Sequence, residues 1–120
     1  MNQQHVPPKR IAWLGFGEMG RPMADRLASA GHDIRAIDLR KQASRDDDLA
    51  WVRAADIVCT CLPGPAEIRD VWMGTPELVD ALSACTVVID FSTIGPDAAS
   101  EAAELVTALG HTYIDSPVSG

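Results

Sequence analysis

The chain has 120 residues, enough for one domain with one hydrophobic core and too few for two ordinary ones. Its 47% hydrophobic and 22% charged residues fit a globular chain and exclude disordered and fibrous classes. A net charge of −7 with no cluster of Lys and Arg excludes a nucleic-acid-binding surface, and no run of eighteen apolar residues marks a membrane span.

In chain order, residues 1–8 read as a flexible tail without the apolar core of a signal peptide, and residues 9–120 as one domain. Placement in the cytoplasm, with no membrane partner, is the corresponding expectation. Residues 10–15 (RIAWLG) form a short apolar run that reads as a buried strand. Residues 19–30 read as a helix, with Met19, Met23, Leu27 and Ala30 at helical spacing and Gly31 as its stop. Strands follow at 33–38 and 56–62. Helices are expected at 65–72 and 76–82, each opened by a proline where a missing N–H does no harm. The β-branched run 86–90 (TVVID) is a further strand, 96–109 a helix ended by Gly110, and 111–117 a last strand. Apolar strands alternating with helices indicate an α/β domain with a parallel sheet covered on both faces.

One interval is too short for this pattern. Between Asp38 and Asp56 lie 17 residues, whereas a helix, a strand and their turns need roughly 25. Asp46, Asp47 and Asp48 fit the first turn of one short helix through Arg53, where carboxylates meet exposed N–H groups, and a solvated acidic run is compatible with that. In a doubly wound sheet of order 3-2-1-4-5-6 the third strand is an edge. The expectation is a Rossmann-like doubly wound parallel sheet whose third strand is absent or vestigial.

The run Gly15-Phe16-Gly17-Glu18-Met19-Gly20 leaves the first strand and opens the first helix, which is the context a GxGxxG motif requires. Gly15 makes the tight turn, Gly17 lets a pyrophosphate approach the backbone, and Gly20 lets the helix pack on the strand. The amides from about Met19 suit a diphosphate, and Glu18 is expected to point to solvent. Asp38 stands 18 positions beyond Gly20, at the end of the second strand, where a carboxylate accepts hydrogen bonds from a ribose 2′-hydroxyl and repels a 2′-phosphate. That favours NAD over NADP. Arg40 complicates the choice, since a guanidinium holds phosphate in a bidentate manner, and a turn-capping role for Asp38 is the alternative.

The three cysteines, Cys59, Cys61 and Cys85, have spacings that build neither a disulfide framework nor a zinc site, and read as buried free thiols. No metal site is expected. His32 and His111 each follow a glycine at the start of a strand and read as plain solvated residues, with His5 in the tail.

Residues 13–24 (WLGFGEMGRPMA) resemble the N-terminal signature of the β-hydroxyacid dehydrogenases, the family of 3-hydroxyisobutyrate dehydrogenase and tartronate semialdehyde reductase. Phe16 departs modestly from the usual GLGxMGxxMA. Three further stretches are similar to family motifs in the family's order: CLPGP at 61–65, STIGP at 92–96 and DSPVSG at 115–120. The resemblance implies that Cys61, Leu62 and Pro63 line the cofactor, with Glu67 a weaker candidate, and that Thr93 lies against the nicotinamide ribose. It also implies that Ser119 and Gly120 contact a substrate carboxylate. Members that use NADP carry Asn-Arg-Ser/Thr after the second strand, whereas Asp38-Leu39-Arg40 puts an acid first. Taken singly, each loop is also ordinary turn chemistry.

The family's acid/base is a lysine on a later helix, in a C-terminal all-helical domain, and neither Lys9 nor Lys41 replaces it. The expectation is therefore the NAD-binding domain of a dehydrogenase that moves a hydride between a nicotinamide cofactor and a small 3-hydroxy acid or its semialdehyde. No catalytic residue is expected in this chain, and the chain alone should be inactive. The alternative is a non-catalytic dinucleotide-binding or oligomerisation module. Association with further copies of itself is left open, through apolar surface near the last strand.

Overall fold

The computed structural model describes residues 7–118. Five apolar segments pair as strands: β1 (Arg10–Leu14), β2 (Asp33–Ile37), β3 (Ile57–Thr60), β4 (Val87–Asp90) and β5 (Thr112–Asp115). They form one parallel sheet of order β2-β1-β3-β4-β5. The helices are α1 (Gly20–Ser29), α2 (Arg45–Ala54), α3 (Pro65–Met73), α4 (Pro76–Ala81) and α5 (Pro96–Ala108), with a 3-10 turn at Gln42–Ser44 before α2. No helix among the described residues is long and apolar enough to cross a membrane.

Alternate side chains of the central strands feed two cores, because successive residues of a strand point to opposite faces. Ala12, Leu14, Val58 and Val88 meet Val52, Ile68, Trp72, Leu78 and Val106 on the side of α2 to α5. Ile11, Trp13 and Cys59 meet Ala24 of α1 on the other. Central strands packed on both faces must be apolar throughout, which is why β1 reads as a continuous run. β1 sits beside both β2 and β3, so the order reverses next to it, and the crevice beyond its carboxyl end is where an open α/β sheet offers room for a ligand.

The short interval after β2 holds the 3-10 turn and α2 and no strand. β2 is accordingly an edge, and the sheet is the six-strand arrangement with its third strand absent. The three aspartates do occupy the first turn of α2. Asp48, however, is not solvated: it is 3% exposed, and its carboxylate accepts from Arg35 Nε at 2.9 Å. A short helix lying against β2 turns its third acidic position inward.

Two expectations are corrected here. His32 and His111 are half-buried, and each Nδ1 accepts a backbone N–H at the amino end of a neighbouring strand, from Lys9 at 3.1 Å and from Thr86 at 3.3 Å. Strand ends leave such amides without ladder partners, and an imidazole placed after a helix-ending glycine reaches them. Of the cysteines only Cys59 is buried; Cys61 is half-buried and Cys85 is exposed, in a turn with φ of 61°.

Candidate functional site

The turn from β1 to α1 is shaped by what touches its glycines. Gly15 has φ of +99°, and a Cβ there would stand 2.0 Å from the Cys61 carbonyl oxygen. A Cβ on Gly20 would stand 2.0 Å from the Gly15 carbonyl oxygen, which also accepts from Trp13 Nε1 at 2.9 Å. Both positions are therefore demanded by the chain's own packing. Gly17 differs, since a Cβ there would meet nothing within 4 Å. No side chain caps α1 and no acidic residue stands in its first turn, so its leading amides keep their positive potential. Glu18 is exposed, as expected.

These residues form one wall of an open cleft of about 1600 Å3 across the carboxyl ends of the strands. All thirteen residues expected at the cofactor line it: Gly15, Phe16, Gly17, Glu18, Met19, Gly20, Asp38, Arg40, Cys61, Leu62, Pro63, Glu67 and Thr93. Ser119 and Gly120 lie outside the described residues. At one end Asp38 is engaged by Arg40, whose Nε and NH2 reach the two carboxylate oxygens at 2.9 and 3.2 Å while its backbone N–H donates at 3.2 Å. The Arg40 hydrogen bond holds the Asp38 carboxyl below its ordinary 3.8, and the guanidinium is in turn held protonated by Asp38. Arg40 is thus paired with Asp38.

At the other end two loops are joined. The Leu62 N–H donates to Ser92 Oγ at 2.7 Å, and the Cys61 N–H donates to the Leu14 carbonyl at 2.9 Å. Thr93 is exposed to the cleft, with its hydroxyl donating to the Val118 carbonyl at 2.9 Å. Phe91, the residue after β4, lines the cleft and stacks on Trp13 of β1, ring centroids 5.7 Å apart.

Sequence reasoning missed Asp90 and Tyr113. Asp90 ends β4, is wholly buried, and accepts from Thr60 Oγ1, the Ser92 N–H and the Tyr113 hydroxyl. The one available signal was a carboxylate closing the apolar run TVVID. Burial, followed by the Asp90 hydrogen bond and charge, pushes the Tyr113 phenol up; burial and the same charge raise Cys61. Neither group is primed to ionise.

The family described as the NAD binding domain of 6-phosphogluconate dehydrogenase matches residues 10–120. The chain belongs to this NAD-binding family. A 3-hydroxyisobutyrate dehydrogenase of Pseudomonas aeruginosa is 35% identical over 120 residues, which takes in 92% of this chain and 40% of that protein. The structure of Mycobacterium tuberculosis 3-hydroxyisobutyrate dehydrogenase with L-serine aligns at TM-score 0.78 and 31% identity, over 94% of this chain and 41% of that one. Psf3 in complex with NADP+ and 2-OPP aligns at 0.76 and 27%, over 92% and 43%. The chain spans about 40% of the length of the curated relatives it matches. The resemblance to the β-hydroxyacid dehydrogenases is thereby established, and the ligand class of the family is a nicotinamide dinucleotide.

Proposed function

We propose that this chain is the cofactor-binding part of a dehydrogenase that prefers NAD and acts on a small 3-hydroxy acid of the 3-hydroxyisobutyrate kind or its semialdehyde. The observation that carries the reading is the contrast among the three glycines. Two are obligatory because the chain itself fills the space beside them, and the third borders space that nothing in the chain fills. A bare backbone facing an empty cleft, next to uncapped helix amides, fits a diphosphate.

In this reading the 17–20 turn holds the diphosphate, and Asp38 accepts from the hydroxyls of the adenosine ribose. Leu62, Pro63 and Thr93 line the nicotinamide half, and Ser119 and Gly120 receive the substrate carboxylate. The bound dinucleotide supplies the hydride chemistry, while the residues of this chain bind and orient it. Lys41 lines the cleft beside Asp38, at the end away from Thr93, and Lys9 precedes β1 at the far side of the sheet, so neither is assigned proton transfer. Two relatives whose names carry 3-hydroxyisobutyrate, one of them solved with L-serine, favour a substrate with its hydroxyl on the carbon next to the one that bears the carboxylate.

The test is a calorimetric titration of the chain and of Gly17→Val with NAD+ and NADP+. NAD+ should bind more tightly than NADP+ to the parent, and at least about tenfold more weakly to the variant, because a side chain would occupy the diphosphate's approach. An unchanged affinity in a folded Gly17→Val chain would remove the diphosphate from this turn.

A further inference from the structure

The carboxylate of Asp90 takes no part in the binding roles above, yet it is the most completely enclosed acid in the site. It is 0% exposed and enters none of the ion pairs among the described residues. A buried carboxylate without a countercharge is tolerated only when its lone pairs are filled. Here both oxygens are engaged, by three donors from three segments: Thr60 Oγ1 at 3.0 Å and the Ser92 N–H at 2.9 Å on one oxygen, and the Tyr113 hydroxyl at 2.6 Å on the other. Thr60 is the last residue of β3, Ser92 follows β4, and Tyr113 belongs to β5. The arrangement continues outward, since Ser92 Oγ accepts the Leu62 N–H at 2.7 Å.

Packing alone gives no reason for a charge at this position. The inward neighbours on the same face, Val58 and Val88, are apolar and wholly buried, so a valine-like residue would continue the core at no desolvation cost. What an apolar residue lacks is direction. A carboxylate only accepts, so it orients every hydroxyl and amide around it toward itself and leaves Ser92 Oγ free to accept from the next loop. Leu62 and Thr93, the two residues on either side of that link, both face the cleft.

We propose that Asp90 is a positioning residue for the nicotinamide half of the bound dinucleotide, acting through Ser92 to set the 61–65 loop against the 92–95 loop. The proposal rests on the dinucleotide-binding reading and adds a division of labour to it. The diphosphate and adenosine are held by the β1 to α1 turn and by β2, which Asp90 does not touch. The far end of the ligand is held by loops whose spacing Asp90 sets.

The experiment titrates the 120-residue chain and the variants Asp90→Asn, Tyr113→Phe and Ser92→Ala with NAD+ and with ADP, which lacks the nicotinamide and its ribose. NAD+ affinity is expected to fall about fivefold in each variant, the loss that one or two oriented hydrogen bonds carry, while ADP affinity changes less than about twofold. An equal fall for both probes, or no fall for either, would overturn the proposal by making Asp90 merely structural or irrelevant to the ligand. Should Asp90→Asn fail to fold, the two variants that each delete a single neutral hydroxyl decide the matter on the same criterion. A parent chain that binds neither probe overturns the dinucleotide reading itself, whereas a parent that binds both with variants of unchanged affinity overturns only the role given to Asp90.

Discussion

Glycine at three positions of one turn serves two separate demands, and substitution should separate them. At Gly20 an added methyl would collide with the Gly15 carbonyl, which is backbone and cannot rotate away. Overpacking of that kind costs about 1–3 kcal/mol, so Gly20→Ala should lower the free energy of unfolding by that much, read as a lower urea midpoint. At Gly17 an added methyl enters open space, and Gly17→Ala should leave the same midpoint in place while dinucleotide binding weakens. The ion pair at the end of β2 makes a second point at this scale. Asp38 engages the one guanidinium beside it that could hold a 2′-phosphate, and the Arg40 side chain is otherwise 90% exposed. Asp38→Ala should therefore free a guanidinium for phosphate and shift the ratio of NADP+ to NAD+ affinity toward NADP+ by at least about tenfold, as read by parallel titrations. Because Arg40 keeps the Asp38 carboxyl below 3.8, the acid remains ionised at neutral pH, and the NAD+ preference proposed for it should hold across pH 6 to 8.

Among elements, the helices α1 and α5 end in the same device. Each stops at a glycine, Gly31 or Gly110, and the following histidine turns its Nδ1 onto an amide at the amino end of a strand. His32 thereby ties the end of α1 to the residue before β1, and His111 ties the end of α5 to the residue before β4. Replacing either by alanine removes one partly buried hydrogen bond, a loss of about 1 kcal/mol in denaturant unfolding. Dinucleotide affinity should not move, because both contacts lie at the amino ends of the strands and the cleft lies at the carboxyl ends. Loss of affinity in His32→Ala without loss of stability would contradict that separation. The helix α2 replaces a whole strand and its connection. It reaches the neighbouring helix through the Arg45 to Glu77 ion pair and β2 through Asp48 and Arg35, so side chains rather than a ladder join it to the edge strand.

For the whole molecule, the cysteines report how the fold opens. Cys59 is buried in the middle of β3, and desolvation pushes its thiol up to about 12. Cys61 is half-buried and also raised, while Cys85 lies exposed in a turn. With a thiol-specific chromophoric reagent at pH 8 the native chain should show one fast-reacting group, Cys85, and one slow group, Cys61. Cys59 should react only at the rate of global unfolding, since a thiolate is the reactive form and burial suppresses it. Dinucleotide should slow Cys61 further, because that residue lines the cleft, and leave Cys85 unchanged.

Much of this protein is already decided by local order in the chain. Apolar runs alternating with helical spacing dictate a parallel α/β sheet, 17 residues between Asp38 and Asp56 leave no room for a third strand, and glycines at 15, 17 and 20 on a strand-to-helix seam mark the turn that opens the cleft. Those features are readable because periodicity, length and backbone freedom are properties of neighbouring residues. The tertiary structure alone decided that Asp48 turns inward to Arg35, that two histidines cap distant strands, and that Asp90 gathers Thr60, Ser92 and Tyr113. Partners such as Leu62 and Ser92 stand 30 residues apart, and only the register of β3 against β4 brings one amide to the other's hydroxyl. Hydrogen bonds act over about 3 Å, so which polar groups meet depends on how the strands are aligned and not on their order along the chain.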